Sequence, residues 1–277
     1  MCRMAAYLGP AAPLSALLGD PPHALAEQAW GPRLQHSGAV NVDGTGVAWW
    51  PAPAHPGEAA HPGGREPLRY VTELPPWADP NLLGLARRLT GTVQLALVRS
   101  ATPGLPHGAW SVAPFVHGQV AVAHNGRIGG FRGSVGRRLL ERLPDDLHAE
   151  LGTLTDSAVL AATVAAQLRG REPDDLAGAL AAAVLECEKT CADAGETATL
   201  TVLTADGERV VGARAALGGP AHTLFTLAGG AALPGALLVA SEPLDDDLGW
   251  TEVPDRHLIE LTGAGVRARP LEEEADR

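Results

Sequence analysis

The chain has 277 residues, 45% of them hydrophobic and 19% charged, and its formal net charge at pH 7 is -11. Its ordinary apolar content excludes disordered and membrane-spanning classes, and its acidic balance argues against nucleic acid or anionic membranes as partners. Three cysteines form no disulfide framework, so we expect a reducing, cytoplasmic location.

The first half of the chain is predicted to contain mostly strands, with short helices between them. Strands are expected at residues 2–8, 40–50 and 92–98, with an Asp-Gly turn inside the second. Two more strands, turning at His117-Gly118, are expected between residues 111 and 124. A helical turn is expected at 13–18, an exposed Pro- and Gly-rich loop at 51–65, and helices at 81–89 and 135–143.

The second half begins with two helices and then changes to strands. Thr155-Asp156 caps a predicted helix at 157–168, and an Ala-rich helix is expected at 174–194. Strands are predicted at residues 197–204, 208–213, 223–227, 236–240 and 258–261. Strands, a helix pair and further strands predict a single α+β domain over residues 2–270, followed by an acidic tail at 271–277.

Cys2 is the first candidate for chemistry. Removal of the initiator Met, which is usual before so small a residue, would leave Cys2 with a free α-amine beside its thiol. Because such an amine has an ordinary pKa of about 7.7–8.0, it can accept the thiol proton near neutral pH. One residue would then supply both nucleophile and base. On these residues alone a small buried hydrophobe is the favoured alternative.

Three further positions have both an ordinary and a catalytic interpretation. Asn125-Gly126 is a strong hairpin pattern, or an oxyanion hole built from the Asn side-chain amide and the Gly backbone N–H. Arg99 follows a strand, and it either extends to solvent or binds a carboxylate in a bidentate manner. Asp156 either caps a helix or receives a substrate ammonium. Arg99 and Asp156 together match an α-amino acid head group.

The remaining cysteines and histidines do not indicate a metal site. Cys187 and Cys191 lie four residues apart on one face of a predicted helix, and no further ligands follow at zinc-finger spacing. The sequence has no His-Glu-x-x-His pair, no Gly-x-Ser-x-Gly elbow and no Walker loop. We therefore expect helix packing for these two cysteines, and neither a metal nor a cofactor for the protein.

Cys2, Arg99, Asn125-Gly126 and Asp156 occur in the order found in class II glutamine amidotransferase domains, and the chain resembles that family. Within it, motifs along nearly the whole chain are similar to the amidohydrolases of ergothioneine biosynthesis. These motifs are Met1-Cys2-Arg3, Asn41-Val42-Asp43-Gly44, Val98-Arg99-Ser100-Ala101-Thr102, His124-Asn125-Gly126, Thr155-Asp156-Ser157 and Ser241-Glu242-Pro243-Leu244. The resemblance implies a four-layer α-β-β-α N-terminal-nucleophile hydrolase fold.

The resemblance also implies a reaction, namely hydrolysis of the γ-glutamyl amide of N-γ-glutamyl-hercynylcysteine sulfoxide. The implied residue roles are Cys2 as nucleophile with its own amine as base, Asn125 and Gly126 as oxyanion donors, Arg99 and Asp156 as ligands of the glutamyl carboxylate and ammonium, and Thr102 and His124 as supports of the pocket. The chain departs from the family pattern at Thr45 and Ala158.

Two alternatives to this reaction stay open. One is a glutaminase or an amidotransferase subunit that acts on glutamine or on another γ-glutamyl amide. The other is a non-catalytic relative, against which the retained Cys2, Arg99, Asn125 and Asp156 argue.

Overall fold

The computed structural model of the protein describes residues 1–35, 38, 40–52, 66–172 and 175–275. The loop predicted at 51–65 lies outside the described residues from position 53 onward, and so does position 174, the predicted start of a helix. The strands are β1 Arg3–Pro13, β2 Thr45–Trp50, β3 Leu68–Thr72, β4 Thr90–Val98, β5 Phe115–His117, β6 Val120–Ile128, β7 Ala198–Ala205, β8 Val210–Leu217, β9 Phe225–Ala228, β10 Leu237–Ala240, β11 Thr251–Glu252, β12 His257–Thr262 and β13 Gly265–Pro270. The helices are α1 Ser15–Leu18, α2 Leu25–Trp30, α3 Leu82–Ala86, α4 Ser134–Leu140, α5 Asp145–Ala149, α6 Asp156–Arg169, α7 Leu176–Ala192 and α8 Leu271–Ala275.

The strands form two antiparallel sheets that pack face to face. The first sheet has seven strands in the order β11-β9-β10-β1-β4-β2-β3, and the second has six in the order β13-β12-β8-β7-β6-β5. Strands β1 and β4 at the centre of the first sheet contact β6 and β7 of the second. The candidate nucleophile therefore precedes a central strand, close to the interface between the sheets.

Helices cover the outer face of each sheet, which gives the four layers. Helices α1 and α2 contact the first sheet, with α3 against α1, and α6 and α7 contact the second, with α4, α5 and α8 against them. Alternate residues of β1 enter different cores, since Met4 and Ala6 lie in the core between the sheets while Ala5 and Tyr7 lie under α1 and α2. This period-two pattern is what a strand buried on both faces requires. The predicted α+β class and four-layer fold are confirmed.

Capping side chains set the starts of the two long helices. Thr155 accepts the backbone N–H of Ala158 at 3.1 Å, and Asp175 accepts that of Gly178 at 2.9 Å. Each bond satisfies one of the N–H groups that the first turn of a helix leaves free. Among the described helices, none is both long and apolar enough to cross a membrane.

The structure differs from the sequence predictions mainly at short elements. Strand β6 continues through Asn125-Gly126 to Ile128, so this dipeptide is not a hairpin turn. The ladder with β7 pairs Asn125 with Thr201 and Gly126 with Leu200, and this pairing overrides the local turn preference. Several short elements had no prediction: α2, α5, α8, β3, β11 and β13.

Candidate active site

Cys2 lies directly before β1 and beside the end of β4. The β1–β4 register pairs Arg3 with Val98, which places Cys2 opposite Arg99. The Sγ of Cys2 accepts the backbone N–H of Ser100 at 3.4 Å and donates to its carbonyl oxygen at 3.7 Å. Cys2 as a residue is only partly buried, and its thiol is held in position by the Ser100 backbone.

The other two cysteines have a different environment. Cys187 and Cys191 are both fully buried in α7 and belong to the core. Burial raises the pKa of the Cys187 thiol strongly, and it raises the pKa of Cys191 to about 11. Both thiols are therefore protonated and shielded, as expected for packing residues. Among the described residues, no group of three or more His, Cys, Asp or Glu side chains could hold a metal ion.

The protonation of Cys2 depends on a base beside it. Burial raises the pKa of its thiol, while the Ser100 N–H, the terminal amine and Arg99 act in the opposite direction. In the structure Met1 carries the terminal amine, which stands in for the amine that Cys2 would carry once Met1 is removed. Burial lowers the pKa of this terminal amine most, while Cys2 raises it and Arg3 lowers it further. A protonated thiol next to an amine that loses its proton easily suits proton transfer between them.

Arg99 is buried at the end of β4, and its backbone is held by hydrogen bonds to the segment before β2. Its N–H donates to the Gly44 carbonyl at 2.8 Å, and its carbonyl accepts the Asp43 N–H at 2.9 Å. The side chain donates from Nη2 to the Pro106 carbonyl at 3.0 Å. Its buried Nη1 has no hydrogen-bond partner among the described residues. An unpaired guanidinium donor in a buried position is a suitable ligand for a carboxylate.

Asp156 is the first residue of α6 and its side chain reaches back to the end of β6. Oδ2 accepts the Ile128 N–H at 3.0 Å, and Oδ1 accepts the Ser157 N–H at 2.9 Å. The helix cap is Thr155 and not Asp156. Asp156 is 3% exposed, and no described basic side chain forms an ion pair with its carboxylate. A buried anion of this kind is a place for a substrate cation.

Asn125 and Gly126 lie on β6, which faces β1 and β4 across the sheet interface. Asn125 is fully buried, and neither side-chain polar atom has a partner in the described part of the chain. Leaving such groups unpaired costs about 1–3 kcal/mol each, so an amide kept in this state is poised for a ligand. Gly126 is required by its surroundings, because a Cβ there would collide with the Thr199 carbonyl of β7.

Thr102 and His124 have different surroundings. Thr102 is half-buried and lines a cavity of about 150 Å³, which also reaches Asp156, Ile128 and Phe131. His124 binds Ser157 Oγ through Nδ1 at 3.0 Å and the Thr199 carbonyl through Nε2 at 2.9 Å. Both ring nitrogens therefore connect β6 to its neighbours, and burial lowers the pKa of His124.

The two departures from the family pattern have structural contacts. The hydroxyl of Thr45, fully buried in β2, donates to the Leu74 carbonyl at 2.9 Å. Ala158 is buried in the first turn of α6 and carries the N–H that Thr155 caps.

Sequence reasoning assigned no role to Ser100 or Asp43. Ser100 supplies both backbone partners of the Cys2 thiol. Asp43 accepts the Ala101 N–H at 2.7 Å and so fixes the chain that follows Arg99. Both residues belong to motifs that carry the family resemblance, and only their place in those motifs could have indicated a role in the site.

No protein-family model matches the chain. Two curated relatives, from Mycobacterium tuberculosis and Mycolicibacterium smegmatis, are each named gamma-glutamyl-hercynylcysteine sulfoxide hydrolase. The first is 34% identical over 272 residues, covering 98% of this chain and 97% of its own. The second is 34% identical over 271 residues, covering 98% of this chain and 100% of its own.

Solved structures of glutamine amidotransferases share the fold. A glutamine aminotransferase class-II domain protein from Silicibacter pomeroyi superposes with a TM-score of 0.70 at 23% identity, over 97% of this chain and 99% of its own. The glutamine phosphoribosylpyrophosphate amidotransferase of B. subtilis has a TM-score of 0.59 at 18% identity, over 98% of this chain and 49% of its own. The second enzyme thus carries the shared fold in about half of its length.

Proposed function

We propose that this chain, which belongs to the family of gamma-glutamyl-hercynylcysteine sulfoxide hydrolases, hydrolyses the γ-glutamyl amide of N-γ-glutamyl-hercynylcysteine sulfoxide. The products are glutamate and hercynylcysteine sulfoxide. The observation that carries this proposal is the 34% identity to hydrolases of that name over 98% of the chain. We place the enzyme in the cytoplasm, since its three cysteines are free thiols, as a reducing compartment favours.

The reaction begins once Met1 has been removed. The Cys2 amine accepts the thiol proton while Sγ attacks the γ-carbonyl carbon, which forms a C–S bond and a negatively charged oxygen. Collapse of this intermediate breaks the C–N bond, and the amine returns the proton to the leaving nitrogen. Water, deprotonated by the same amine, then attacks the thioester and releases glutamate with the free thiol. The fixed position of the Cys2 thiol beside Ser100 supports this role.

The glutamyl head group binds to two buried charges. Arg99 takes the α-carboxylate through the guanidinium donor that has no described protein partner. Asp156 takes the α-ammonium, and its contacts with Ile128 and Ser157 keep the carboxylate in place. Desolvated, preorganised charges bind such a zwitterion more strongly than exposed ones do, because water does not screen them.

The negatively charged oxygen is stabilised by Asn125 and Gly126. The Asn125 amide is buried and unpaired in the described part of the chain, which supports its assignment as a donor. Donors that are already in place cost no reorganisation when charge develops, and each contributes several kcal/mol to the transition state.

A competition assay tests the substrate. Purified enzyme is given glutamine and the γ-glutamyl sulfoxide together, and the ratio of their kcat/KM values is measured, with Cys2→Ala as the background. We expect the sulfoxide to be preferred by orders of magnitude. Comparable turnover of glutamine would instead identify a general glutaminase, since Arg99 and Asp156 serve either substrate. Absence of turnover for both would identify a non-catalytic relative.

A further inference from the structure

A buried ion pair lies next to the candidate nucleophile. Arg3 and Glu242 are 1% and 0% exposed, and the Nε of Arg3 lies 3.2 Å from Oε1 of Glu242. The β1–β10 ladder pairs Ala5 with Ala240, so Arg3 and Glu242 face each other just beyond its last pair. One of the two charges is thus carried by the residue that follows the nucleophile.

The same pair holds the segment between α2 and β2 against the start of the chain. Glu242 Oε2 accepts the backbone N–H of Arg33 at 2.7 Å, and Arg3 Nε donates to Gln35 Oε1 at 3.3 Å. Farther along this segment, a Cβ added to Gly38 would lie 3.9 Å from the first nitrogen of the chain. The pair therefore holds Arg33 and Gln35 against the start of β1, in the segment whose Gly38 lies near the terminal amine.

Stability does not explain why two charges are buried at this place. Desolvation of both ions offsets most of their attraction, and apolar residues of similar volume usually give equal or greater stability. Removal of only one partner is harmful, because the other charge is left buried and unpaired. The burial of Arg3 and Glu242 is therefore explained better by the groups on which their charges act.

The titratable and charged groups that act on the terminal amine are Cys2, Arg3 on β1 and Asp43 before β2. Arg99 after β4 and Asp156 on α6 act on the adjacent Cys2 thiol. Burial lowers the pKa of this amine most, Cys2 raises it, Arg3 lowers it further, and Asp43 raises it. Burial also lowers the pKa of Arg3, while Glu242 and Cys2 raise it, so Arg3 interacts with both neighbours. A positive charge beside the amine favours its unprotonated form, which is the form that a base requires.

We infer that Arg3 and Glu242 are positioning residues, which hold the N-terminal nucleophile and favour the unprotonated form of its amine. Arg3 supplies the charge that acts on the amine, and Glu242 keeps that guanidinium in place. This inference rests on the proposed function, because it concerns the base of the same reaction.

The acid limb of the pH profile of kcat/KM measures the protonation of this amine. Any γ-glutamyl amide that the wild-type enzyme turns over serves as substrate, so the test does not depend on the leaving group. Arg3→Met should move the limb upward by roughly 1 pH unit, the size of a neighbouring-charge effect. Arg3→Lys keeps the charge and should keep the limb while lowering kcat. Glu242→Gln should move the limb downward, since Arg3 then acts without an opposing charge.

Arg33→Met is the matched control, because it removes an exposed cation and keeps the backbone N–H that binds Glu242. It should leave the limb unchanged. An unmoved limb in a folded Arg3→Met enzyme, or an equal movement in Arg33→Met, would overturn the inference. If Arg3→Met does not fold, the other two variants test the inference: the acid limb should move downward in Glu242→Gln and stay in place in Arg3→Lys. If the wild-type enzyme cleaves no γ-glutamyl amide, the proposed function itself fails.

Discussion

The backbone N–H of Ile128 donates a 3.0 Å hydrogen bond to Oδ2 of Asp156, which joins the end of β6 to the first turn of α6. The other carboxylate oxygen accepts the Ser157 N–H at 2.9 Å. Each carboxylate oxygen thus accepts one backbone N–H and still has acceptor capacity for a ligand. Asp156 is thus oriented by the element that also carries Asn125 and Gly126.

Replacement of Asp156 by Asn should weaken substrate binding. The variant loses the charge that is proposed to receive the substrate ammonium, and such a charge-assisted hydrogen bond is worth about 1.5–3 kcal/mol. We expect kcat/KM for a γ-glutamyl amide to fall by about 10- to 150-fold. Steady-state kinetics measure this fall.

Thr155→Ala is the matched control, since it changes the adjacent residue and removes the helix cap. It should lower the free energy of unfolding by about 0.5–2 kcal/mol and leave kcat/KM of the folded enzyme unchanged. Wild-type kcat/KM in Asp156→Asn would show that Asp156 serves only to connect β6 with α6.

The thiols should separate into one catalytic and two packing residues. Cys2→Ala should abolish turnover, because no other described cysteine is accessible. Cys187→Ala and Cys191→Ala should keep kcat and lose stability through the cavities they create. Intact-mass measurement should show a protein without Met1, and a fully active preparation that retains Met1 would contradict the amine-base mechanism.

Arg99→Lys should already be harmful, although it preserves the charge. The ammonium of Lys cannot reproduce the planar fork that binds a carboxylate while also reaching the Pro106 carbonyl. We expect a rise in KM of at least about tenfold, from the loss of one charge-assisted hydrogen bond. Arg88→Lys, at an exposed position beyond α3, is the control and should have wild-type kinetics. Equal kinetics for the two variants would show that Arg99 has only a structural role at the end of β4.

Sequence patterns were sufficient for the large elements of the fold. Strand β4 and helices α6 and α7 have long runs of apolar residues with clear ends, and their predicted bounds agree with the structure within a few residues. The four-layer arrangement of these elements was predicted from the family resemblance, because the order of Cys2, Arg99 and Asp156 is specific to that family. Two-residue strands such as β11 contain too few residues for any period to be visible.

The details of the site depended on tertiary contacts that no local pattern contains. Asn125-Gly126 has the composition of a turn, but pairing with β7 keeps it in a strand. The partner of Arg3 lies 239 positions away at Glu242. The contacts of Ser100 with Cys2 come from the β1–β4 register, which alternation within one strand cannot specify.

Asn125→Ala should lower kcat more than it raises KM. The amide is proposed to bind an oxygen that carries charge only in the transition state, so the ground state loses little. Loss of one such donor typically lowers kcat by about 10²–10³-fold. Pre-steady-state measurement of thioester formation separates this effect from hydrolysis of the thioester. An increase in KM at constant kcat would assign Asn125 to ground-state binding instead.

His124 should make the stability of the protein depend on pH. Burial lowers the pKa of His124 in the folded state, below the ordinary value of about 6.5 that applies when the chain is unfolded. Between these two values only the unfolded chain binds the extra proton, so the stabilisation present above pH ~6.5 is lost as the pH falls toward the folded pKa. The slope contributed by one histidine approaches about 1.4 kcal/mol per pH unit.

Denaturant unfolding measures this contribution when the wild-type protein and His124→Gln are compared between about pH 7.5 and 5.5, within the range in which histidine titrates. The variant should be less stable at the upper end, because it loses the contacts with Ser157 and Thr199. It should also show a shallower decline toward the lower end. His117, whose pKa burial likewise lowers, should account for part of the remaining slope. An unchanged slope in His124→Gln would mean that His124 can accept a proton without breaking these contacts.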